Sequence, residues 1–152
     1  MPRFGPLSSA PDGVAVGDHA AKHLLLTPEQ VRYHGAAGRA RDFGWADVER
    51  ISIDLPCSRF RATAAVSGAL MIATSLLSMQ VIDDLPEDGT AIVRSDGSDH
   101  PLSLTRHHVG GYWRRSVQAT QRLLDRLVAD PPSRELLRHP DDLIRTVIAS
   151  TR

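Results

Sequence analysis

The chain has one cysteine (Cys57), one lysine (Lys22) and no net charge. A single cysteine excludes an intrachain disulfide framework and a cysteine-rich zinc site. Lys plus Arg and Asp plus Glu stand at 18 each, so the chain lacks the basic excess of a protein that coats nucleic acid. No basic segment followed by an apolar one opens the sequence, so no secretory signal is read there. The cytoplasm is the expected compartment, in keeping with a free thiol. No repeat of about 20–50 residues is found. What is present is a 152-residue chain, room for one domain, with an ordinary globular apolar fraction of 41%. Seventeen of its 18 basic residues are arginine, a skew read as codon composition rather than chemistry.

Residues 1–19 carry Pro2, Pro6 and Pro11 among Gly5, Gly13 and Gly17, and read as a flexible lead-in. From His23 the pattern is β. His23–Thr27 and Gln30–His34 flank the turn residues Pro28 and Glu29 and predict an antiparallel hairpin. Gly35–Gly38 is a loop, and Arg39–Trp45 is a third strand. Asp47–Glu49 reads as a corner. Ile51, Ile53 and Leu55 then share one face of a fourth strand, which Pro56 stops. The first half is thus expected to be a four-stranded antiparallel meander.

No charge occurs between Arg61 and Asp83, a run of 21 residues. Its length alone suits a membrane span. Its polar members do not. Thr63, Ser67, Thr74 and Ser78 gather on one side of a helical wheel, with Val66, Leu70, Ala73 and Leu77 on the other. That one-sided stripe predicts an apolar helical insertion packed on a protein core over 62–82. Farther on, Thr90–Arg94 and Pro101–Thr105 predict a second hairpin around Asp96-Gly97. Tyr112–Val128 predicts an amphipathic helix, with Trp113, Val117, Thr120, Leu124 and Leu127 on the buried stripe. Asp130-Pro131-Pro132 ends it, and a last helical piece begins at Pro140-Asp141-Asp142.

Strands first and an amphipathic helix last predict an α+β domain over residues 20–129, with a helical extension over 130–152. Three segments carry a resemblance: the Leu24–Val31 hairpin, the Gly44-Trp45-Ala46-Asp47-Val48-Glu49-Arg50-Ile51 corner and the Trp113–Leu127 helix. Together they resemble the PH-like superfold, in particular GRAM-like domains and small bacterial PH-like domains of the actinobacterial type. The resemblance implies a bent antiparallel sheet forming an open barrel, capped by the C-terminal amphipathic helix. It also implies a binding module for lipids, peptides or proteins. The run over 62–82 departs from that pattern, where a strand is expected.

Fold does not fix function. In phosphoinositide-binding members, basic residues at the first hairpin hold the phosphates. Here Lys22, Arg32, Arg39 and Arg41 are interrupted by Glu29 and Asp42. Scattered solvated charge is the better description. His100, His107, His108 and His139 lack a recognised ligand spacing, and adjacent histidines on extended chain point apart, so no metal is expected. No cofactor motif is found. Ser, His and Asp are plentiful, but no nucleophile elbow frames them. Cys57 follows Pro56 with no activating motif and reads as structural. Arg106, Arg114 and Arg115 are the candidate anionic-contact patch, if the end of the second hairpin lies beside the helix start. The expectation is a non-catalytic module for binding or assembly with protein partners, including itself, through a strand edge or 62–82. The alternatives are peripheral binding to an anionic membrane and a small enzyme with an unrecognised site.

Overall fold

The computed structural model describes residues 3–58, 88–107 and 111–151. The predicted insertion at 62–82 lies outside the described residues. The fold is α+β. Six strands follow one another as an antiparallel meander: β1 (Arg3–Phe4), β2 (Leu7–Ala10), β3 (Gly13–Gly17), β4 (His23–Leu26), β5 (Gln30–His34) and β6 (Ala40–Gly44). A turn at Trp45–Asp47 leads into β7 (Val48–Asp54), and the two-residue β8 (Cys57–Ser58) follows. Then come β9 (Gly89–Ser95) and β10 (Ser98–Leu104), which form a second antiparallel sheet in the order β10-β9-β7. The short β11 (Tyr112–Trp113) pairs in parallel with β8. It runs directly into helix α1 (Arg114–Ala129), a 3-10 helix (Pro131–Arg138) and helix α2 (Pro140–Ala149).

Three expectations are corrected. Residues 3–17 are not a flexible lead-in but the first three strands of the large sheet, and every residue of β2 and β3 is buried. Their prolines and glycines mark hairpin turns: Gly5-Pro6 between β1 and β2, Pro11-Asp12 between β2 and β3. Gly5 has φ +56, the conformation that favours glycine at the first central position of a tight hairpin, and a Cβ there would collide with Ser116 of α1. Second, β7 does not extend the first meander. It pairs with β9, so the chain changes sheets at Trp45. Third, the helix begins at Arg114, because Tyr112 and Trp113 are extended and paired with β8. The second hairpin is as expected, with Asp96 (φ 51) and Gly97 (φ 74) filling a two-residue turn that needs positive φ at both positions.

Cross-strand register decides what the large sheet buries. Leu7, Val16 and Leu24 lie side by side, as do Val14, Leu26, Val31 and Phe43, and all of these are in the core. Ala91, Val93, Leu102 and Leu104 face them from the second sheet within the same cluster. Val117, Leu124 and Leu127 of α1 complete it. Several tethers bend the two sheets toward each other without joining them into one. Trp45 donates its indole N–H to the Thr27 carbonyl at 2.8 Å, and the Tyr33 hydroxyl donates to the Ser103 carbonyl at 2.9 Å. Past β10, the Thr105 N–H donates to the Lys22 carbonyl at 2.9 Å. The result is a bent, unclosed antiparallel sheet with helices at its C-terminal end.

Candidate functional site

Helix α1 is amphipathic, and its two faces lead to different neighbours. The buried face carries Thr120, Leu124 and Leu127, all without solvent exposure. At its edge, Gln121 meets β7. Its carboxamide accepts from the Ile53 N–H at 3.0 Å and donates to the Ile51 carbonyl at 2.7 Å. It therefore stands in for a further strand residue on the β7 edge, which would otherwise offer unpaired backbone groups to another chain. The opposite face carries Arg114, Arg115, Gln118, Arg122 and Arg126, all exposed.

The end of α1 is built by the residues that follow it. The Asp130 N–H donates to the Arg126 carbonyl at 2.8 Å, and the Ser133 hydroxyl donates to the Asp130 carbonyl at 2.6 Å. Arg134 turns back to cap the helix, donating to the Leu127 carbonyl at 2.8 Å and the Val128 carbonyl at 3.2 Å. Its guanidinium lies 4.9 Å over the Trp45 ring. Through these contacts the 3-10 helix is folded under α1. Pro140 starts α2, with Asp141 and Asp142 in its first turn favoured by the helix dipole. A groove remains between α1, the 3-10 helix and α2. Its floor is Leu123, Leu127, Leu143 and Val147, its rim includes Arg122 and Arg126, and it encloses about 210 Å3. Leu136 stands at its mouth, 45% exposed, one of two large apolar side chains left open to solvent among the described residues.

A second, larger hollow of about 610 Å3 lies beside the β4–β5 turn, lined by Asp12, Leu25, Glu29, Gln30, Arg32 and Arg138 among others. Most of its charges are already matched. Arg32 holds Asp42 through two hydrogen bonds of 2.7 and 3.0 Å, and Arg138 reaches Glu29 at 3.1 Å and Glu135 at 2.8 Å. The Arg32 guanidinium holds the Asp42 carboxyl below its usual range. Such a surface offers a ligand little beyond what it already gives itself.

The sequence-predicted arginines fall into two neighbourhoods. Arg106 lies by the Tyr112 hydroxyl, where Arg3 and Asp18 also exert their fields. Burial nevertheless pushes that hydroxyl up to about 12. Arg114 acts on the Cys57 thiol, which partial burial pushes up and which donates to the Leu55 carbonyl at 3.1 Å. A thiol held protonated is a poor nucleophile. The Arg115 guanidinium lies 5.7 Å over the Trp113 ring. Among the described residues, no acidic side chain or side-chain cap occupies the first turn of α1 to offset Arg114 and Arg115.

The histidines divide in the same way. His100 packs against Phe43 with centroids 5.4 Å apart, His107 Nδ1 lies 3.2 Å from the Tyr112 hydroxyl, and His139 precedes α2. His108 lies outside the described residues. A histidine cluster that spacing did not suggest sits elsewhere. His23 and His34 are direct cross-strand partners, stacked at 4.6 Å and 12°, with His19 at 4.9 Å from His23. The signal was the hairpin register, which sets position 23 opposite 34. Burial, aided by the neighbouring imidazoles, lowers the His23 pKa. Among the described residues no group of three or more histidine, cysteine or acidic side chains is arranged to hold a metal ion. None of the helices among them is long and apolar enough to cross a membrane. No family model, curated protein or solved structure matches the chain.

Proposed function

We propose that the chain is a non-catalytic protein-binding module whose contact surface is the groove between α1 and α2. The observation that carries this reading is a recessed apolar groove where three helical segments meet, with the exposed Leu136 at its mouth. Helix–helix grooves of this kind receive anchoring side chains from a partner segment. Strand-edge assembly has less in its favour. Gln121 occupies the β7 edge, and β6 presents exposed Arg41 and Asp42, charges that discourage edge pairing. Selection of peptides from a displayed random library on the folded chain tests the reading. Enriched peptides should share apolar anchors and lose binding to Leu136→Glu. A selection that enriches nothing, or peptides indifferent to that substitution, would refute it.

A second reading, peripheral contact with an anionic membrane, is supported by Arg114 and Arg115 at the start of α1, whose first turn holds no acidic residue. It expects sedimentation with phosphatidylserine vesicles that disappears at high salt and in the Arg114→Ala/Arg115→Ala variant. Unchanged sedimentation in that variant removes it.

A further inference from the structure

The charge around the groove is not the charge of the chain. The protein as a whole is neutral, yet α1 carries four arginines against the single acid Asp125. Asp125 is engaged by Gln121, whose amide donates to it at 2.8 Å. Among the described residues that line the groove none is acidic, and two are arginines. Arg122 makes a 3.4 Å contact with the Gln118 carbonyl, and neither Arg122 nor Arg126 forms an ion pair among the described residues. They stand four residues apart on one helix, roughly 6 Å along its axis. That is also the spacing of successive residues on one face of a second helix.

We propose that the groove takes an acidic amphipathic segment of another protein, with aliphatic side chains on its inner face and glutamates or aspartates beside them. This rests on the protein-binding reading above and names the partner's chemistry. Leu123 and Leu127 on α1, with Leu143 and Val147 on α2, form two i, i+4 rows that receive the anchors. Arg122 and Arg126 meet the flanking carboxylates. The enclosed volume, about 210 Å3, is below the roughly 300–1,000 Å3 of small-molecule sites, so anchoring side chains suit it better than a cofactor. A membrane suits it less. Leu123, Leu143 and Val147 are recessed and at most 8% exposed, whereas insertion into lipid needs apolar groups that protrude.

The test is fluorescence anisotropy on the full chain with a labelled leucine–glutamate amphipathic peptide of about four helical turns. Two control peptides carry lysine for glutamate and serine for leucine. The acidic peptide should bind about tenfold or more tightly than its lysine counterpart, the scale of two exposed charge contacts. The serine peptide should not bind. Arg122→Glu/Arg126→Glu should invert the charge preference, Arg122→Gln/Arg126→Gln should abolish it, and Leu136→Glu should weaken the acidic peptide. Thermal melts of the same variants confirm that they remain folded. Equal binding of both charge types, or a preference that survives Arg122→Glu/Arg126→Glu, overturns the proposal while leaving a protein-binding groove. If no peptide of either charge binds, both the proposal and the protein-binding reading fall. Salt-sensitive binding to phosphatidylserine vesicles through Arg122 and Arg126 in place of the peptide, or a dimer broken by Leu136→Glu, overturns it in favour of those occupants.

Discussion

The two faces of α1 are made from the same sixteen residues and differ in what completes them. The inward face is finished within the molecule: Thr120 and Leu124 are enclosed, and the Gln121 carboxamide pairs with the backbone of β7. The outward face is unfinished. Arg122 and Arg126 border an apolar groove and have no acidic partner among the described residues. A face that satisfies all its groups internally serves stability, whereas one that borders an apolar groove and carries unmatched charge leaves interactions for a partner. The start of the same helix adds a further contrast. Arg114 and Arg115 also form no ion pair among the described residues, but Arg115 lies over Trp113 and neither lines the groove.

This contrast can be broken in several ways. Leu124→Ala should cost about 2–5 kcal/mol of unfolding free energy, the range for emptying a fully buried leucine site. A loss under 1 kcal/mol by urea titration would mean that the inward face is not the closed one. Gln121→Ala removes both bonds to the β7 edge and should cost about 1–2 kcal/mol. It should also raise self-association in sedimentation, because the edge is opened. If Gln121→Ala is neutral and monomeric, the edge is protected by something else.

Acid sensitivity should belong to neither face but to the β4–β5 hairpin. The His23 pKa is lowered in the fold from its ordinary 6.5, so folding excludes a proton. The stability this confers is complete above about 6.5 and is lost as the pH falls from there through the lower folded value. A pH series of melts should show that slope, and His23→Phe should flatten it. An unaltered slope would place the sensitivity elsewhere. The smallest effect should come from the groove. Leu136→Ala and Arg122→Ala should shift stability by no more than about 0.5 kcal/mol, as exposed substitutions do. Larger losses would show that these residues serve the fold and not a partner.

Much of this was legible in the sequence. A short apolar run located β4, alternation located β5 and β7, Asp-Gly located the turn between the short strands β9 and β10, and the three- and four-residue steps located α1. Proline and glycine misled at the N-terminus, since β2, between Gly5-Pro6 and Pro11-Asp12, is only four residues long and β3, which follows, only five, leaving little periodicity to detect. The switch of β7 to the second sheet was hidden because alternation tells which face is buried but not which strand is the neighbour. The groove was hidden for a related reason. The apolar positions of α1 and α2 were visible, but Leu123, Leu143 and Val147 become one surface only after the 3-10 helix, pinned by Arg134, sets the two helices side by side. Likewise the histidine stack depends on register, which places His23 opposite His34, and not on spacing along the chain.

The most direct measurement is a backbone amide shift map of the full chain titrated with the acidic amphipathic peptide. The account expects shifts confined to Ala119–Leu127, the neighbourhood of Leu136 and the Leu143–Ser150 stretch, with β6 and the Arg106 and Arg114 regions silent. Shifts centred on Arg106, Arg114 and Arg115, or along the β6 edge, would contradict it.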